Sequence, residues 1–513
     1  MKLWLKVLVF VLGFVGVLYL DRVYWFVLPI SQFSTTSIVS FEGMISLLFM
    51  ISVVFVAFII SLENRNPSRT LAWLMVLGAF PVVGFFFYLL VGQSYRKKRN
   101  YAKKKLVDEQ SFMLYSDKQP AQEHAYIREH QQRVLTLAQH LSNTPISNHT
   151  YTKVLTNGEE TFREIIEALK RAKNHIHLEY YIVRDDHLGN EIKDILVQKA
   201  LEGIEVRFLY DAVGSFQLSD EYIGALIKSG VQVEAFSPVY IPIANDKMNY
   251  RNHRKIVVVD GIVGFVGGLN IGDEYLGKDK YYGLWRDTHL KLEGEAVKSL
   301  QLIFLHDWCY ETEEDIVEAD YFAPPKDLPC HTGGVQIIAG GPDNEWDVLK
   351  KIFFSMITSA KQSIWIASPY FVPDEDILSA IKVAALSGID VRILVPDRPD
   401  KRLVFYASRS YFPELLEAGV KIYEYKKGFL HSKILIVDAE LASIGTANMD
   451  MRSFHLNFEI NAFLYQTDST KKLVEDFEQD VLDSNQLMNE QFKKRRFFLR
   501  LLESIARLYS PLL

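Results

Sequence analysis

Two long apolar runs set the first pattern in the chain. Met44–Ser61 (MISLLFMISVVFVAFIIS) carries no charge over eighteen residues. As a helix it would be about 27 Å long, the depth of a hydrocarbon core. Leu71–Gly92 is uncharged over twenty-two residues, and Pro81 within it predicts a kink that lipid tolerates. These runs predict membrane spans near 44–61 and 71–92. A third run, Val7–Leu20, follows Lys2 and Lys6, with no small-residue cleavage site before Ser34. It reads as an uncleaved anchor or a membrane-surface helix. After Gly92 come Arg96, Lys97, Lys98, Arg99, Lys103, Lys104 and Lys105 with no acid among them, against Arg65 and Arg69 in the loop between the spans. The positive-inside rule then puts all that follows in the cytoplasm, making this a multi-pass cell-membrane protein. The basic run also suits anionic lipid heads.

The remaining four hundred residues are written twice. Ala200-Leu201-Glu202-Gly203-Ile204-Glu205-Val206-Arg207-Phe208-Leu209 is matched by Ala385-Leu386-Ser387-Gly388-Ile389-Asp390-Val391-Arg392-Ile393-Leu394. Each predicts a helix end, a glycine cap and a buried strand. Leu226–Val233 and Leu415–Ile422 repeat the device. Strands alternating with helices predict two α/β units with mixed sheets, packed about a pseudo-twofold axis. The expected organisation is a membrane region over 1–95 and a basic linker with a helix over 96–150. The first α/β domain covers 151–325, the second 326–482, and a basic amphipathic helix 483–513. In that last segment Lys493, Lys494, Arg495 and Arg496 precede Phe498, Leu501, Leu502, Ile505 and Leu508 at helical spacing, with Arg500 and Arg507 on the other face. Such a helix lies in a lipid interface or docks on the protein's own core.

Composition narrows the class. The 513 residues are 49% hydrophobic, enough for large cores, and 57 basic against 63 acidic residues give a net charge of −6. That balance disfavours a nucleic-acid partner. Two cysteines, Cys309 and Cys330, form no CxxC pair, which excludes a zinc ribbon and a disulfide scaffold. The chain is compatible with an oligomer.

The chemistry sits at one place in each copy. His253-Arg254-Lys255-Ile256-Val257-Val258-Val259-Asp260 leads to Gly267-Gly268-Leu269-Asn270, and His431-Ser432-Lys433-Ile434-Leu435-Ile436-Val437-Asp438 leads to Gly445-Thr446-Ala447-Asn448. The pattern H-x-K-x4-D-x6-G-x-x-N occurs twice, although composition gives even its looser H-x-(base)-x4-(acid) form only about 0.2 chance matches. On a strand, His and Lys two apart share a face. Two such modules facing each other supply a pair each of His, Lys and Asn around one anion, as phosphoryl transfer requires. No carboxylate cluster or His/Cys metal spacing accompanies them, so the chemistry reads as free of metal and cofactor.

These motifs resemble the HKD signatures of the phospholipase D superfamily. The hairpin, the stretch Asn66-Pro67-Ser68-Arg69-Thr70-Leu71-Ala72-Trp73-Leu74 and the segment GTANMDMRSFHLNFE (Gly445–Glu459) resemble bacterial cardiolipin synthases. The resemblance implies two phospholipase D-like α/β/α sandwich domains behind a transmembrane helical region. It implies phosphatidyl transfer between two phosphatidylglycerol molecules through a phosphohistidine, giving cardiolipin and glycerol. Hydrolysis to phosphatidic acid is the alternative, and phosphatidylethanolamine an alternative donor. By resemblance His253 is the nucleophile and His431 the acid and base, while Lys255, Lys433, Asn270 and Asn448 bind phosphate oxygens. Asp287 and Glu459, each about thirty residues past a motif histidine, orient the histidines. Asp260 and Asp438 belong to the catalytic motif, yet seven residues from His they point to the opposite strand face, which favours a structural ion pair. Gly268 departs from the usual Ser or Thr, kept as Thr446 in the second copy, so the halves should contribute unequally. Tyr180, Tyr181 and Ser368-Pro369-Tyr370-Phe371 line an acyl-chain or headgroup pocket, or are ordinary core.

Overall fold

The computed structural model describes residues 127–238, 249–314, 316–317, 319–322, 333–344 and 346–513, with 51, 53–54, 57–58, 67–80, 84–85 and 88 from the N-terminal region. The expected helix over 7–20, most of the span 44–61, the basic run 96–105 and Cys330 lie outside the described residues. Helix α1 (Pro67–Ala79) begins with proline at its first position, where a missing N–H costs nothing. No helix among the described residues is long and apolar enough to cross a membrane.

Arg99–Tyr240 and Lys247–Leu513 form one compact unit, and the residues through Lys98 belong to another. In the larger unit α2 (Glu129–Ser142) precedes the first half. That half runs β1 (Thr150–Thr156), α3 (Asn157–Arg171), β2 (His175–Tyr180), α4 (His187–Leu201), β3 (Glu205–Asp211), α5 (Asp220–Lys228), β4 (Gln232–Phe236), β5 (Ile256–Val259), β6 (Val263–Gly267), β7 (Leu284–Arg286), β8 (Thr288–Gly294) and α6 (Ala296–Thr312). The second half runs β9 (Gly334–Gly340), α7 (Val348–Ser359), β10 (Ser363–Ala367), β11 (Phe371–Val372), α8 (Glu375–Leu386), β12 (Asp390–Pro396), α9 (Arg402–Glu417), β13 (Lys421–Tyr425), β14 (Gly428–Leu430), β15 (Ile434–Val437), β16 (Leu441–Gly445) and β17 (Met449–Asp450). It continues through α10 (Met451–His455), β18 (Glu459–Tyr465), α11 (Asp468–Leu482), β19 (Ser484–Gln486), α12 (Asn489–Lys493) and α13 (Phe497–Leu508).

The sheets are ordered β1-β8-β6-β5-β2-β3-β4 and β19-β13-β12-β10-β15-β16-β18-β9. Read in opposite directions these are one order, with β19 added at an edge. Both are mixed: β2, β3 and β4 are parallel, and β5 runs antiparallel to β2. The repeated glycines do what the pattern asked of them. Gly203, Gly388, Gly230 and Gly419 have φ of 84°, 91°, 96° and 93°, left-handed values that end a helix cheaply only without a Cβ. Side chains of Asp186, Ser219, Asp374 and Thr467 accept N–H bonds at the starts of α4, α5, α8 and α11.

Three apolar cores hold the unit together. One lies among β2, β3, α3 and α4 of the first half. Another fills the second half and takes Val134, Leu135 and Ala138 of α2. The third joins the halves, with Val154, Ile256 and Leu290 of the first sheet, Ile337, Ile436 and Ile460 of the second, and α6 and α11.

The motif acids close loops at the far ends of their strands. Asp260 (φ 55°) accepts backbone N–H bonds from Lys173, Asn174 and His175. Asp438 (φ 54°) accepts them from Lys361, Gln362 and Ser363. Each carboxylate is filled by three amides beyond β5 or β15, the arrangement expected of a structural role. The expected ion pair is replaced by these amides; among the described residues His130 approaches Asp438, at 3.7 Å. Asp260→Asn and Asp438→Asn should each lower unfolding free energy by about 1–3 kcal/mol, while turnover per folded molecule stays near that of the parent. Denaturant titration and active-site-normalised rates check this; a lost rate at unchanged stability would return these acids to the reaction.

Candidate active site

Each His-x-Lys segment lies in extended chain just before its strand, pinned to the opposite half. The His253 amide donates to the Phe458 carbonyl at 2.9 Å, and the His431 amide to the Arg286 carbonyl at 2.7 Å. β14 pairs in parallel with β7, and Asn252 bridges Phe458 in the same sense. The acids follow this exchange. Nδ1 of His253 lies 2.9 Å from Glu459 Oε2, and Nδ1 of His431 lies 2.7 Å from Asp287 Oδ2. Each carboxylate thus serves the histidine of the other half, not the motif histidine that precedes it.

Burial sets the electrostatics. It pushes both imidazoles down to about 4, against the upward pull of their carboxylates, so at neutral pH both are neutral. Burial also lowers the Lys255 ammonium to about 7 and Lys433 to about 8. Burial alone would raise Asp287 and Glu459, yet both lie below the usual carboxylate range. Lys433 and His431 hold Asp287 down, and His253 and Lys255 hold Glu459 down. The charge of Lys433 acts on His253 and on Lys255, and that of Glu459 on Lys433, so the two modules form one electrostatic site. Side-chain exposures of 12% for His253 and 9% for His431 leave each ring an open edge.

The modules differ in detail. Lys255 Nζ donates to the His253 carbonyl at 2.6 Å, and lies 5.3 Å from the centre of the Tyr181 ring. Tyr181 also meets His253 edge-on at 5.0 Å, whereas Tyr180 is buried core. Lys433 Nζ lies 2.8 Å from Nδ1 of His431, which therefore faces a cation as well as Asp287. Trp285 flanks His431 at 5.1 Å. Asn270 is committed within its own half: its Oδ1 accepts from the Ile182 amide at 3.1 Å, and its Nδ2 donates to Tyr275 at 3.2 Å. Oδ1 of Asn448 is buried with no partner among the described residues. Of the second aromatic stretch, Phe371 is core, and Tyr370 bonds Asp400 and lines a cleft of about 320 Å³ with Pro369, Pro396 and Phe405. Among the described residues no group of three or more His, Cys, Asp or Glu is arranged to hold a metal.

Sequence reasoning missed the layer beneath. Arg254 bonds Asp307 and the Glu459 carbonyl. Glu179 accepts from Asn252, and burial together with Asp307 raises its carboxyl well above the usual range. On the other side Arg286 pairs with Asp480, its Nε 2.8 Å from Oδ1, and lies 3.5 Å from Ser432. The only signal was polar residues inside otherwise apolar strands, as in HIHLEY of β2, all buried.

The family model described as cardiolipin synthase, PLD-like domain, matches residues 165–308 and 353–481. The model for the phospholipase D-nuclease N-terminal region matches 47–93. The chain is 59% identical over 518 residues to a cardiolipin synthase of Geobacillus sp. (strain WCH70), covering 100% of both chains. It is 63% identical over 466 residues to cardiolipin synthase 2 of Bacillus cereus, covering 91% of each. A solved phosphatidylserine synthase from Haemophilus influenzae shares the fold at 16% identity and a TM-score of 0.58, over 74% of this chain and 100% of that one.

Gly268 now has a physical reason. A Cβ there would stand 2.1 Å from Asp287 Oδ1. In the second half Thr446 fits beside the longer Glu459, its hydroxyl accepting from the Ile460 amide at 2.8 Å. Gly268→Thr should displace Asp287 from His431 and cut turnover about a hundredfold or more. Adding Asp287→Glu, which copies the second half, should recover part of that loss. Steady-state rates of both variants check the pairing, and full activity of Gly268→Thr alone would refute it.

Proposed function

The chain belongs to the cardiolipin synthase, PLD-like domain family, and on that premise we propose how it transfers a phosphatidyl group from one phosphatidylglycerol to the headgroup hydroxyl of a second. The enzyme is a phosphatidyltransferase whose products are cardiolipin and glycerol. The observation that carries the reading is the crossed pair of histidine–carboxylate bonds, with two buried lysines between them.

With Glu459 holding the proton on Nδ1, Nε2 of His253 presents a lone pair. It attacks phosphorus, the N–P bond forms, and the P–O bond to glycerol breaks. A bound phosphodiester anion raises the low imidazole affinity of His431 for a proton, and Asp287 stabilises that cation, so His431 protonates the departing glycerol oxygen. The headgroup hydroxyl of the second phosphatidylglycerol then gives its proton to His431 and attacks phosphorus, and the N–P bond breaks. Lys255 and Lys433 neutralise the equatorial oxygens as negative charge develops, and Nδ2 of Asn448 donates to one of them. Asn270 acts more by holding the Ile182 loop than by touching phosphate.

The protein is membrane-associated. The two apolar runs would span the bilayer, and the basic run after them would keep the catalytic halves in the cytoplasm.

The full chain in detergent micelles, given headgroup- and acyl-labelled phosphatidylglycerol with a strong chelator present, should release glycerol and cardiolipin in equal amounts. Phosphatidic acid without cardiolipin would make the protein a hydrolase. Activity lost to the chelator and restored by a divalent ion would contradict the metal-free roles.

A further inference from the structure

Helix α13 is docked the wrong way round for a helix serving its own core. The residues it buries against the protein are Glu503, Ala506 (2% exposed) and, just beyond its end, Ser510. Glu503 bonds Arg495 and lies 3.8 Å from Arg409 of α9. Arg507 pairs with Glu414 at 2.8 Å and sits 4.2 Å above the Tyr411 ring, and the Tyr411 hydroxyl is 2.9 Å from Ser510 Oγ. Polar and small contacts thus fix the helix on α9. Its large apolar side chains are left outside: Phe498 (76% exposed), Leu501, Leu502, Ile505 and Leu508 (79%). At spacings of three and four they make one continuous face. Lys494, Arg496 and Arg500 stand exposed beside it.

We propose that this face is a membrane-contact element, and that its occupant is the anionic leaflet in which the substrate resides. The choice of leaflet rests on the phosphatidyltransferase reading, whose substrate is an anionic phospholipid. Exposed Phe and Leu on one helix face, flanked by bases, match an acyl boundary beneath negative headgroups. The five side chains are 43–79% exposed, and contiguous exposed apolar surface of this kind marks an interaction site.

The element is also wired to the reaction centre. The Arg452 amide of α10 donates to the Leu513 carbonyl at 2.8 Å. The next residue, Ser453, donates through Oγ to Glu459 Oε1 at 2.9 Å, and the other oxygen of Glu459 holds His253. Seating the helix on lipid would therefore steady the segment that positions the histidine-orienting acid.

The test uses the full chain in vesicles of phosphatidylcholine mixed with phosphatidylglycerol. On a Cys309→Ser/Cys330→Ser background, single nitroxide labels are placed through Phe498→Cys, Leu502→Cys or Leu508→Cys. Oxygen should relax these labels more than a water-soluble nickel chelate does. The reverse order, or spin coupling between labels on separate copies, which would mean self-association, overturns the proposal. Phe498→Glu/Leu502→Glu/Ile505→Glu, checked for an unchanged melting curve, should lose about tenfold or more of its vesicle turnover. Its rate on monomeric short-chain phosphatidylglycerol should match the parent's. No loss on vesicles, or equal loss on both substrates, also overturns it. If the parent makes no cardiolipin, the phosphatidyltransferase reading fails, and label accessibility still decides the membrane contact.

Discussion

An imidazole buried beside an ammonium group cannot keep its orientation, or take up a proton when needed, without an anion against its inner nitrogen. Here that anion comes from the opposite half of the molecule. Glu459 on β18 reaches His253, and Asp287, between β7 and β8, reaches His431. Neither half is complete alone. The shared apolar core, the β7–β14 pair and the Asn252–Phe458 bridge all hold the halves in the one arrangement that satisfies both bonds. The lysines depend on the same constraint. Lys255 is fully buried, a costly position that the two carboxylates offset.

Duplication supplies the frame, and small differences divide the work. The residue between His and Lys is Arg254 in one copy and Ser432 in the other. The space beside Ser432 is taken by Arg286, so each module has a buried arginine, drawn from the first half both times. Glycine stands with the short acid and threonine with the long one. Only the second asparagine keeps a side-chain oxygen without a partner among the described residues. Nδ1 of His431 meets both an acid and a lysine, while Nδ1 of His253 meets an acid alone among the described residues. That difference suits a proton-handling group opposite a nucleophile.

Much of this was legible in the sequence, and the omissions have physical causes. Identical spacing exposed the two motifs, and the glycine-ended repeats exposed two mixed-sheet halves. Period-2 alternation set Asp260 and Asp438 on the strand face opposite the histidines, but it could not foresee that backbone amides, not a cation, would fill them. Residue spacing also carries no information about which half an acid will cross to, because that depends on packing between sheets. For the same reason α2, placed in a linker by its charge run, contributes to the core of the second half. β19 extends the second sheet past the expected boundary at 482. The amphipathic pattern of α13 predicted an apolar face; only packing reveals that this face is turned away from the protein.

The crossed pairing is tested most directly by following the covalent intermediate when each acid is neutralised. Glu459→Gln and Asp287→Asn are incubated with phosphatidylglycerol, quenched in denaturant at mildly alkaline pH, where the N–P bond survives, and weighed intact, and the modified peptide is sequenced. If each acid serves the other half, Glu459→Gln leaves His253 without its orienting anion and accumulates no adduct. Asp287→Asn weakens His431 as the base of the second step and accumulates phosphatidyl-His253. The opposite pattern, adduct in Glu459→Gln and none in Asp287→Asn, would mean that each acid serves the histidine of its own half.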